Sequence, residues 1–249
     1  MTVLKTETLL PGIAIDCVVF GFHENELKVL LLKLKNIEQW ALPGGFIEKN
    51  TDLETEAIHA LKVRTGLDNI FLQQFYTFGD VGRNDPDHPK MMVRESVIPE
   101  ELFDWFNQRF ISIGFYALVE YSKVKEPVPG PISDACEWCS INDLPPLMLD
   151  HQLILEKAYD TLKKELNYQP IGMNLLPKRF TIPELQTLYE TILGKKLDRR
   201  NFRRKIMGFD ILRSTNEHRT GVAHKAPLLY EFDEEKYNLA NKAGLSSGW

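Results

Sequence analysis

Residues 42–67, LPGGFIEKNTDLETEAIHALKVRTGL, constrain the fold of this 249-residue chain more than any other stretch. They predict the end of a strand, a tight turn at residues 44–45, a polar loop and an amphipathic helix. The two glycines of the turn allow backbone angles that are closed to other residues. Asp52 or Thr51 is a suitable N-cap for the helix, and Gly66 is placed to end it.

The frame of this stretch resembles the Nudix box, a loop and helix that bind a divalent metal to cleave nucleoside diphosphate linkages. Gly45 matches the glycine that opens the Nudix pattern, and Gly66 and Leu67 match the residues that close it. The acidic positions between them are not matched, because they are occupied by Thr51 and by the pairs His59-Ala60 and Val63-Arg64.

The loss of these acids argues against metal-dependent catalysis. Mg²⁺ and Mn²⁺ require several oxygen ligands, mainly carboxylates on one helix face. Ala60 and Val63 offer no oxygen, and Arg64 places a positive charge where the dication would bind. We therefore predict no catalytic residue, no metal site, no cofactor and no enzymatic activity. The remaining alternative is a shifted register that uses three other acids: Glu48, Asp52 and Glu56.

The charge of the chain is divided unevenly. The net charge is −5, but residues 1–167 carry 16 Lys and Arg against 26 Asp and Glu, whereas residues 168–249 carry 14 against 9. An acidic first part with a basic second part indicates two domains with separate functions, one of which binds an anion or a nucleic acid.

The composition favours an ordinary globular protein without a disulfide framework. No apolar run is long enough to span a bilayer and the N-terminus lacks a signal-peptide pattern, so we expect a cytoplasmic protein. Of the three cysteines, Cys136 and Cys139 form a single C-x-x-C in a segment with strand character. A zinc site of this type requires a second pair of ligands, so these cysteines are interpreted as structural.

Residues 1–167 predict an α+β domain. Residues 12–35 read as a β-hairpin, and residues 82–89, GRNDPDHP, as a loop dense in turn formers. The order of elements suits a mixed sheet between helices, a Nudix-like α/β/α sandwich. The remaining elements are strands at 69–80, 110–121 and around 137–138, a short helix at 99–108 and a longer one at about 150–166.

Residues 168–180 have two prolines and a glycine and are predicted as a linker to a second domain at residues 181–249. Thr181, with Glu184 three residues later, has the capping-box pattern at the start of a helix. After a short turn, Asp198 is placed to cap a second helix, DRRNFRRKIMGF.

The second helix is basic on its outer side. Phe202 and Ile206, four residues apart, are expected to face the core. Helix, turn and basic helix form a helix-turn-helix, and two strands joined by NEHRTGVAHKA would add a wing. We predict a winged helix whose recognition helix enters the major groove while the wing lies along phosphates; the alternative is a solvated charged helix. The predicted DNA contacts are Lys178, Arg179, Arg199, Arg200, Asn201, Arg203, Arg204, Lys205, Arg219 and Lys225.

Nearly the whole chain resembles the NrtR-type transcriptional regulators. The resemblance is carried by the Nudix frame, the loop FGDVGRNDP, residues 138–146 and the helix pair FTIPELQTLYETILGKKLDRRNFRRK. It implies a homodimer that binds a palindromic DNA operator and senses an effector through its Nudix-like domain. Some members respond to ADP-ribose, and others, with eroded boxes, respond to sugars and govern sugar catabolism. Residues 90–108 are an apparent insertion relative to this family. Three roles are open for this segment: a lid, an element of the dimer interface, or an addition without a function of its own.

The eroded box favours a neutral sugar or sugar phosphate as effector. A sugar site requires an aromatic face and several hydrogen-bonding groups. Residues of these types at strand ends and loops around the predicted cleft are Trp40, Phe46, Glu48, Arg83 and Asp85. Two other functions stay open: an active Nudix hydrolase that acts on ADP-ribose or a related nucleoside diphosphate, and a scaffold whose basic helix binds acidic proteins.

Overall fold

The chain forms two compact units in a computed structural model. The first unit is drawn from residues 1–21, 28–119 and 124–159, and the second from residues 22–27, 120–123 and 160–249. No helix within the described part of the chain is both long enough and apolar enough to cross a membrane. The residues that the structure describes are 4–67, 70, 72–124, 127, 129, 132–220 and 226–244.

A mixed sheet forms the centre of the first unit. Its strands are β1 (Leu9–His23), β2 (Glu26–Leu34), β3 (Trp40–Ala41), β4 (Gly44–Glu48), β5 (Leu72–Phe78), β6 (Ile111–Val119) and β7 (Ser133–Ser140). The order is β3-β2-β1-β6-β5, with β4 paired to β1 and β7 paired to β2. β1 and β6 run parallel, and the pairs with β3, β4, β5 and β7 are antiparallel.

The predicted hairpin and box helix are both present. Glu24 and Asn25 have positive φ angles of 51° and 62° in the β1–β2 turn, as a two-residue turn between twisted strands requires. Helix α1 (Leu53–Thr65) begins at Asp52, whose carboxylate accepts a hydrogen bond from the Thr55 N–H, and ends at Gly66 with a φ of 75°. Ala57 and Leu61 of α1 are buried in the core with side chains of β1, β2 and β6.

The predicted reason for the glycines of the box was wrong. Gly44 and Gly45 do not form a turn, because they lie in β4 opposite Asp16 and Ile15 of β1. Neither glycine is among the residues with positive φ. A Cβ atom on Gly44 would lie 2.3 Å from the Ile15 carbonyl oxygen. Glycine is needed here for the close approach of two strands and not for unusual backbone angles.

The segment before β6 contains more helix than predicted. Helix α2 (Asp87–Arg94) begins within the predicted loop of residues 82–89, and α3 (Phe103–Asn107) follows a 3-10 turn. Three residues of the apparent insertion, Met92, Val97 and Ile98, are buried in one cluster. The cluster also contains residues of β2 and β3, and Met148, which precedes the helix that begins at His151. The apparent insertion therefore contributes these three side chains to a hydrophobic core cluster of this unit. Helix α4 (His151–Glu165) agrees with the prediction.

The second unit contains the predicted winged helix. Helix α5 (Ile182–Leu193) begins with the Thr181–Glu184 capping box, and α6 (Arg199–Gly208) begins at Asp198, whose side chain accepts from the Asn201 N–H. Strands β9 (Leu212–His218) and β10 (Leu228–Phe232) form the antiparallel wing, and β8 (Phe180–Thr181) pairs with β10. β9 continues through residues 216–218, which the sequence placed in the loop.

Two further features of this unit were not predicted. Helix α7 (Glu234–Ala243) follows the wing and buries Tyr237; its one buried aromatic gives little helical periodicity in the sequence. Ile171 and Leu175 of the predicted linker are buried, and the Ile171 N–H donates to the Tyr189 hydroxyl over 3.2 Å. The division into residues 1–167, 168–180 and 181–249 stays a prediction.

The Gly44→Ala variant tests the close strand contact. We expect it to lower the free energy of unfolding of the first unit by about 3 kcal/mol, because the added methyl group collides with a backbone atom that cannot move aside. Thermal unfolding followed by circular dichroism measures the loss. Gly79→Ala is the matched control, since a Cβ on Gly79 meets no atom within 4 Å. An equal effect of both variants would contradict the packing argument.

Candidate nucleic-acid interface and effector site

Helix α6 packs on α5 through a small apolar face. Phe202 and Ile206 are 2% and 0% exposed, and the Phe202 ring meets the ring of Tyr189 of α5 edge-on at 5.5 Å. Both residues are buried on one side of α6, as their four-residue spacing predicted. The polar side of the helix consequently faces solvent.

The basic residues of α6 differ in their surroundings. Arg199, Arg200, Arg203 and Arg204 are exposed, whereas Lys205 is half-buried and its pKa is lowered by burial and by Lys195. The Arg204 guanidinium donates to the Asn201 amide oxygen over 3.0 Å. The Arg203 guanidinium is 3.4 Å from the hydroxyl of Tyr230 in β10 and is directed towards the wing.

Other predicted DNA contacts already have partners in the protein. Arg219, the residue after β9, donates to the carboxylate of Glu184, which also forms the capping box of α5. Arg179 forms a 2.6 Å ion pair with Glu217. Lys178 is exposed, and Lys225 lies outside the described residues. The structure thus exposes the four arginines of α6 and ties Arg219 to the start of α5.

The structure of the box helix does not fit a catalytic metal. Glu56 is buried and its carboxylate is 3.1 Å from the Nδ1 atom of His59. Arg64 donates from Nε to the Gly44 carbonyl over 3.2 Å, and burial lowers its pKa. Val63 is 46% exposed where the Nudix pattern has an acid. Within the described ranges, no three His, Cys, Asp or Glu side chains are grouped so that they could hold a metal ion.

Three of the predicted effector residues lie on β3 and β4. Trp40 of β3 has the Lys33 ammonium 5.9 Å from its ring centre. Phe46 of β4 contacts the rings of three aromatic residues from α3 and the loop after it, and Glu48, at the end of β4, is half-buried opposite Leu9. The aromatic neighbours of Phe46, with ring centres 5.3–5.7 Å away, are Trp105, Phe106 and Phe110.

Arg83 is anchored by the protein itself. Its side chain is 8% exposed and donates to both carboxylate oxygens of Asp150 over 2.9 and 3.0 Å. A third bond goes to the carbonyl of Phe110, the same residue whose ring packs on Phe46. These three hydrogen bonds use three of the five N–H donors of the guanidinium group. Asp85 is exposed and accepts from the Asp87 N–H at the start of α2.

A buried polar network next to Arg83 was not found from the sequence. Asp16 of β1 accepts a hydrogen bond from the buried Ser112 of β6. The Nδ1 atom of His151 accepts from the Leu42 N–H over 2.9 Å, which assigns the ring proton to Nε2, 3.6 Å from the Asp16 carboxylate. Arg83 lies 3.9 Å from that carboxylate. The one available signal was an aspartate within an otherwise apolar strand, GIAIDCVVF.

The Arg83→Met variant tests the importance of this network. We expect the first unit to lose about 3–5 kcal/mol of unfolding free energy, because Asp150, whose side chain is only 14% exposed, is left without its cation. Arg94→Met is the matched control, since its side chain is 74% exposed in its pair with Glu95; such pairs contribute about 0–1 kcal/mol. Urea unfolding measures both variants. Similar midpoints for the two variants would show that the buried network does not stabilise the unit.

Known proteins resemble both parts of the chain. Residues 172–232 match the family described as the NrtR DNA-binding winged helix domain. The "ADPR responsive transcriptional repressor NtrR" of Acinetobacter baylyi is 28% identical over 243 residues, which cover 94% of this chain and 87% of the relative. An ADP-ribose pyrophosphatase of Methanocaldococcus jannaschii is 27% identical over 149 residues, which cover 59% of this chain and 72% of that enzyme.

Two solved structures have the same fold. The crystal structure of Shewanella oneidensis NrtR complexed with a 27mer DNA matches with a TM-score of 0.74 and 24% identity, covering 95% of this chain and 99% of that chain. A MutT/nudix family protein from Enterococcus faecalis matches with a TM-score of 0.66 and 19% identity, covering 90% and 87%. The mixed-sheet domain and the winged helix predicted from the sequence are thereby confirmed. Residues 172–232 are thus identified as an NrtR winged-helix DNA-binding domain, and the chain as a whole shares the fold of the Shewanella NrtR, with a Nudix-like domain before the winged helix.

Proposed function

We propose that this protein is a ligand-responsive regulator that binds a DNA operator through α6 and senses its effector with a Nudix-like domain that does not hydrolyse it. The observation that carries the proposal is the exposed arginine face of α6, held on a capped helix-turn-helix in the segment that matches the NrtR winged helix. A row of arginines at the start of a recognition helix suits contacts with phosphates and base edges in the major groove.

We infer that the protein acts as a homodimer on a palindromic operator. Two recognition helices about one DNA turn apart would read the two half-sites, and an effector that favours one arrangement of the dimer would change that spacing. The name of the Acinetobacter relative supports repression as the direction of control. The remaining predicted contacts, Lys178, Arg179, Lys205, Arg219 and Lys225, are assigned to phosphates in this proposal.

For the effector we propose a sugar or sugar phosphate, with control of sugar catabolism as the role. The support is the chemistry of the box: Ala60, Val63 and Arg64 replace residues that would hold a metal-bound diphosphate. The aromatic ring of Phe46 near the polar Arg83 network is of the kind that binds sugars. ADP-ribose is the second candidate effector, and the name of the Acinetobacter relative favours it.

The alternative function is hydrolysis of ADP-ribose or a related nucleoside diphosphate. Similarity to the Methanocaldococcus ADP-ribose pyrophosphatase favours this alternative. The Glu56 carboxylate, paired with His59, lies one helical turn before Ala60, but Ala60 and Val63 supply no further carboxylate. Magnesium-dependent turnover of ADP-ribose that disappears in Glu56→Gln would establish the hydrolase.

The Arg203→Ala variant tests DNA binding. If Arg203 reads a base, its loss should weaken operator binding by about 1–3 kcal/mol. Binding of the purified protein to its own upstream DNA is measured by fluorescence anisotropy at several salt concentrations. Lys242→Ala, which removes one exposed charge from α7, is the control and should leave the affinity nearly unchanged. Absence of any salt-sensitive affinity in the unaltered protein would overturn the proposal.

A thermal-shift screen tests the sensor. Sugars, sugar phosphates and ADP-ribose are added separately, and a ligand selective for the folded state at 100 times its Kd stabilises it by about 2.7 kcal/mol. We expect a sugar or sugar phosphate to raise the melting temperature. Glu48→Gln should reduce the shift, whereas Arg203→Ala should keep it. If ADP-ribose raises the melting temperature and no sugar or sugar phosphate does, ADP-ribose is the effector and the sugar proposal is refuted.

A further inference from the structure

The turn between α5 and α6, residues 194–198, is held by side chains of α5. The Glu190 carboxylate accepts a hydrogen bond from the Leu197 N–H over 2.9 Å. Gln186, one helical turn earlier, donates from Nε2 to the same carboxylate oxygen and to the Leu197 carbonyl, both over 2.9 Å. Both polar backbone groups of Leu197 are thus bound by two neighbouring side chains of the preceding helix.

Lys196 completes this arrangement from the outside. Its ammonium group is 2.9 Å from the second Glu190 oxygen, and its side chain is 92% exposed while that of Glu190 is 13% exposed. The bond from the Leu197 N–H, aided by Lys196 and Gln186, outweighs burial and lowers the pKa of Glu190 to about 2. The carboxylate is therefore charged at neutral pH, and its stabilising effect is lost only as the pH falls from the ordinary value of 4.5 through about 2.

Leu197 directly precedes the first residue that fixes α6. Asp198 is the N-cap of α6: its side chain accepts from the Asn201 N–H and its carbonyl accepts from the Phe202 N–H. The position of Leu197 therefore sets where α6 begins and in which direction it leaves the turn. The arginines of α6 lie within the first two turns after this point.

We propose that Glu190, supported by Gln186, is a positioning residue for DNA binding, because it fixes the turn that aims the arginine face of α6. The proposal rests on the proposed DNA-binding function. According to this proposal, a negatively charged side chain strengthens the binding of negatively charged DNA. Charge alone predicts the opposite, because removing a negative charge from a basic surface should strengthen the attraction for phosphates.

Two variants of Glu190 separate geometry from charge. Both remove the negative charge, but Glu190→Gln keeps a side-chain oxygen that can accept from the Leu197 N–H. Glu190→Ala removes the acceptor and should weaken operator binding about ten-fold, the effect of losing one charged hydrogen bond. Glu190→Gln should retain most of the affinity. The dependence of log affinity on log salt should be unchanged in both variants, because neither removes a cation that contacts phosphate.

The matched charge control is Glu235→Gln. Glu235 is exposed on α7 and lies outside the turn, so its removal should change operator affinity little. Hydrogen exchange supplies a direct readout of the proposed contact. The Leu197 amide should lose protection in Glu190→Ala and keep it in Glu190→Gln, whereas a general loss of stability would increase exchange along the whole of α5 and α6.

Gln186→Ala provides a second route if Glu190→Ala does not fold. This variant keeps the carboxylate and removes the two bonds from Gln186, and it should also weaken operator binding with an unchanged salt dependence. Unchanged or tighter binding in both Glu190→Ala and Gln186→Ala would overturn the proposal. If Glu190→Gln binds the operator as weakly as Glu190→Ala does, the role of the Glu190 side chain as a hydrogen-bond acceptor is refuted.

Failure of the positioning role is distinguishable from failure of the proposed function. If the unaltered protein has no salt-sensitive affinity for its operator, DNA binding itself is refuted. If the unaltered protein binds and Arg203→Ala weakens binding while the Glu190 variants do not, DNA binding stands and the positioning role is refuted.

Discussion

The close approach of β4 to β1 at Gly44 is the constraint on which the Nudix-like unit depends. The pairing places Gly44 opposite Asp16 and leaves 2.3 Å between a hypothetical Cβ and the Ile15 carbonyl oxygen, so no side chain can be accommodated. α1 is held against the same strand, since Arg64 of α1 donates to the Gly44 carbonyl. The frame of the box is thus required for packing, and this requirement does not depend on the metal-binding acids.

The same region explains how the unit tolerates a buried charge network. Asp16 projects from the apolar β1 and accepts a hydrogen bond from Ser112, and the Nε2 atom of His151 and the Arg83 guanidinium lie within 4 Å of its carboxylate. A buried carboxylate without such partners would be strongly destabilising. Arg83 in turn joins Asp150 to the loop at Phe110, whose ring packs on Phe46. A ligand that disturbed one of these contacts would affect several strands and helices of the unit together.

In the second unit, acidic side chains organise a basic surface. Glu184 caps α5 and binds Arg219, Glu217 pairs with Arg179, and Glu190 binds the turn before α6. The arginines of α6 in contrast are exposed to solvent. The acids therefore fix the framework of the winged helix, and the cations that have fewer protein partners remain available to an anionic ligand.

The sequence alone determined the features that depend on neighbouring residues. Four features that the sequence predicted are present in the structure: the N-cap at Asp52 (one of two candidates), the N-cap at Asp198, the capping box at Thr181 and the buried spacing of Phe202 and Ile206. Each of them involves residues only a few positions apart. Tertiary structure alone decided the role of Gly44 and the partners of the charged side chains. The members of the pairs Arg219–Glu184, Arg83–Asp150 and Ser112–Asp16 are 35, 67 and 96 residues apart. No local pattern specifies which distant carboxylate a folded chain brings to an arginine, since that choice follows from the packing of whole strands and helices.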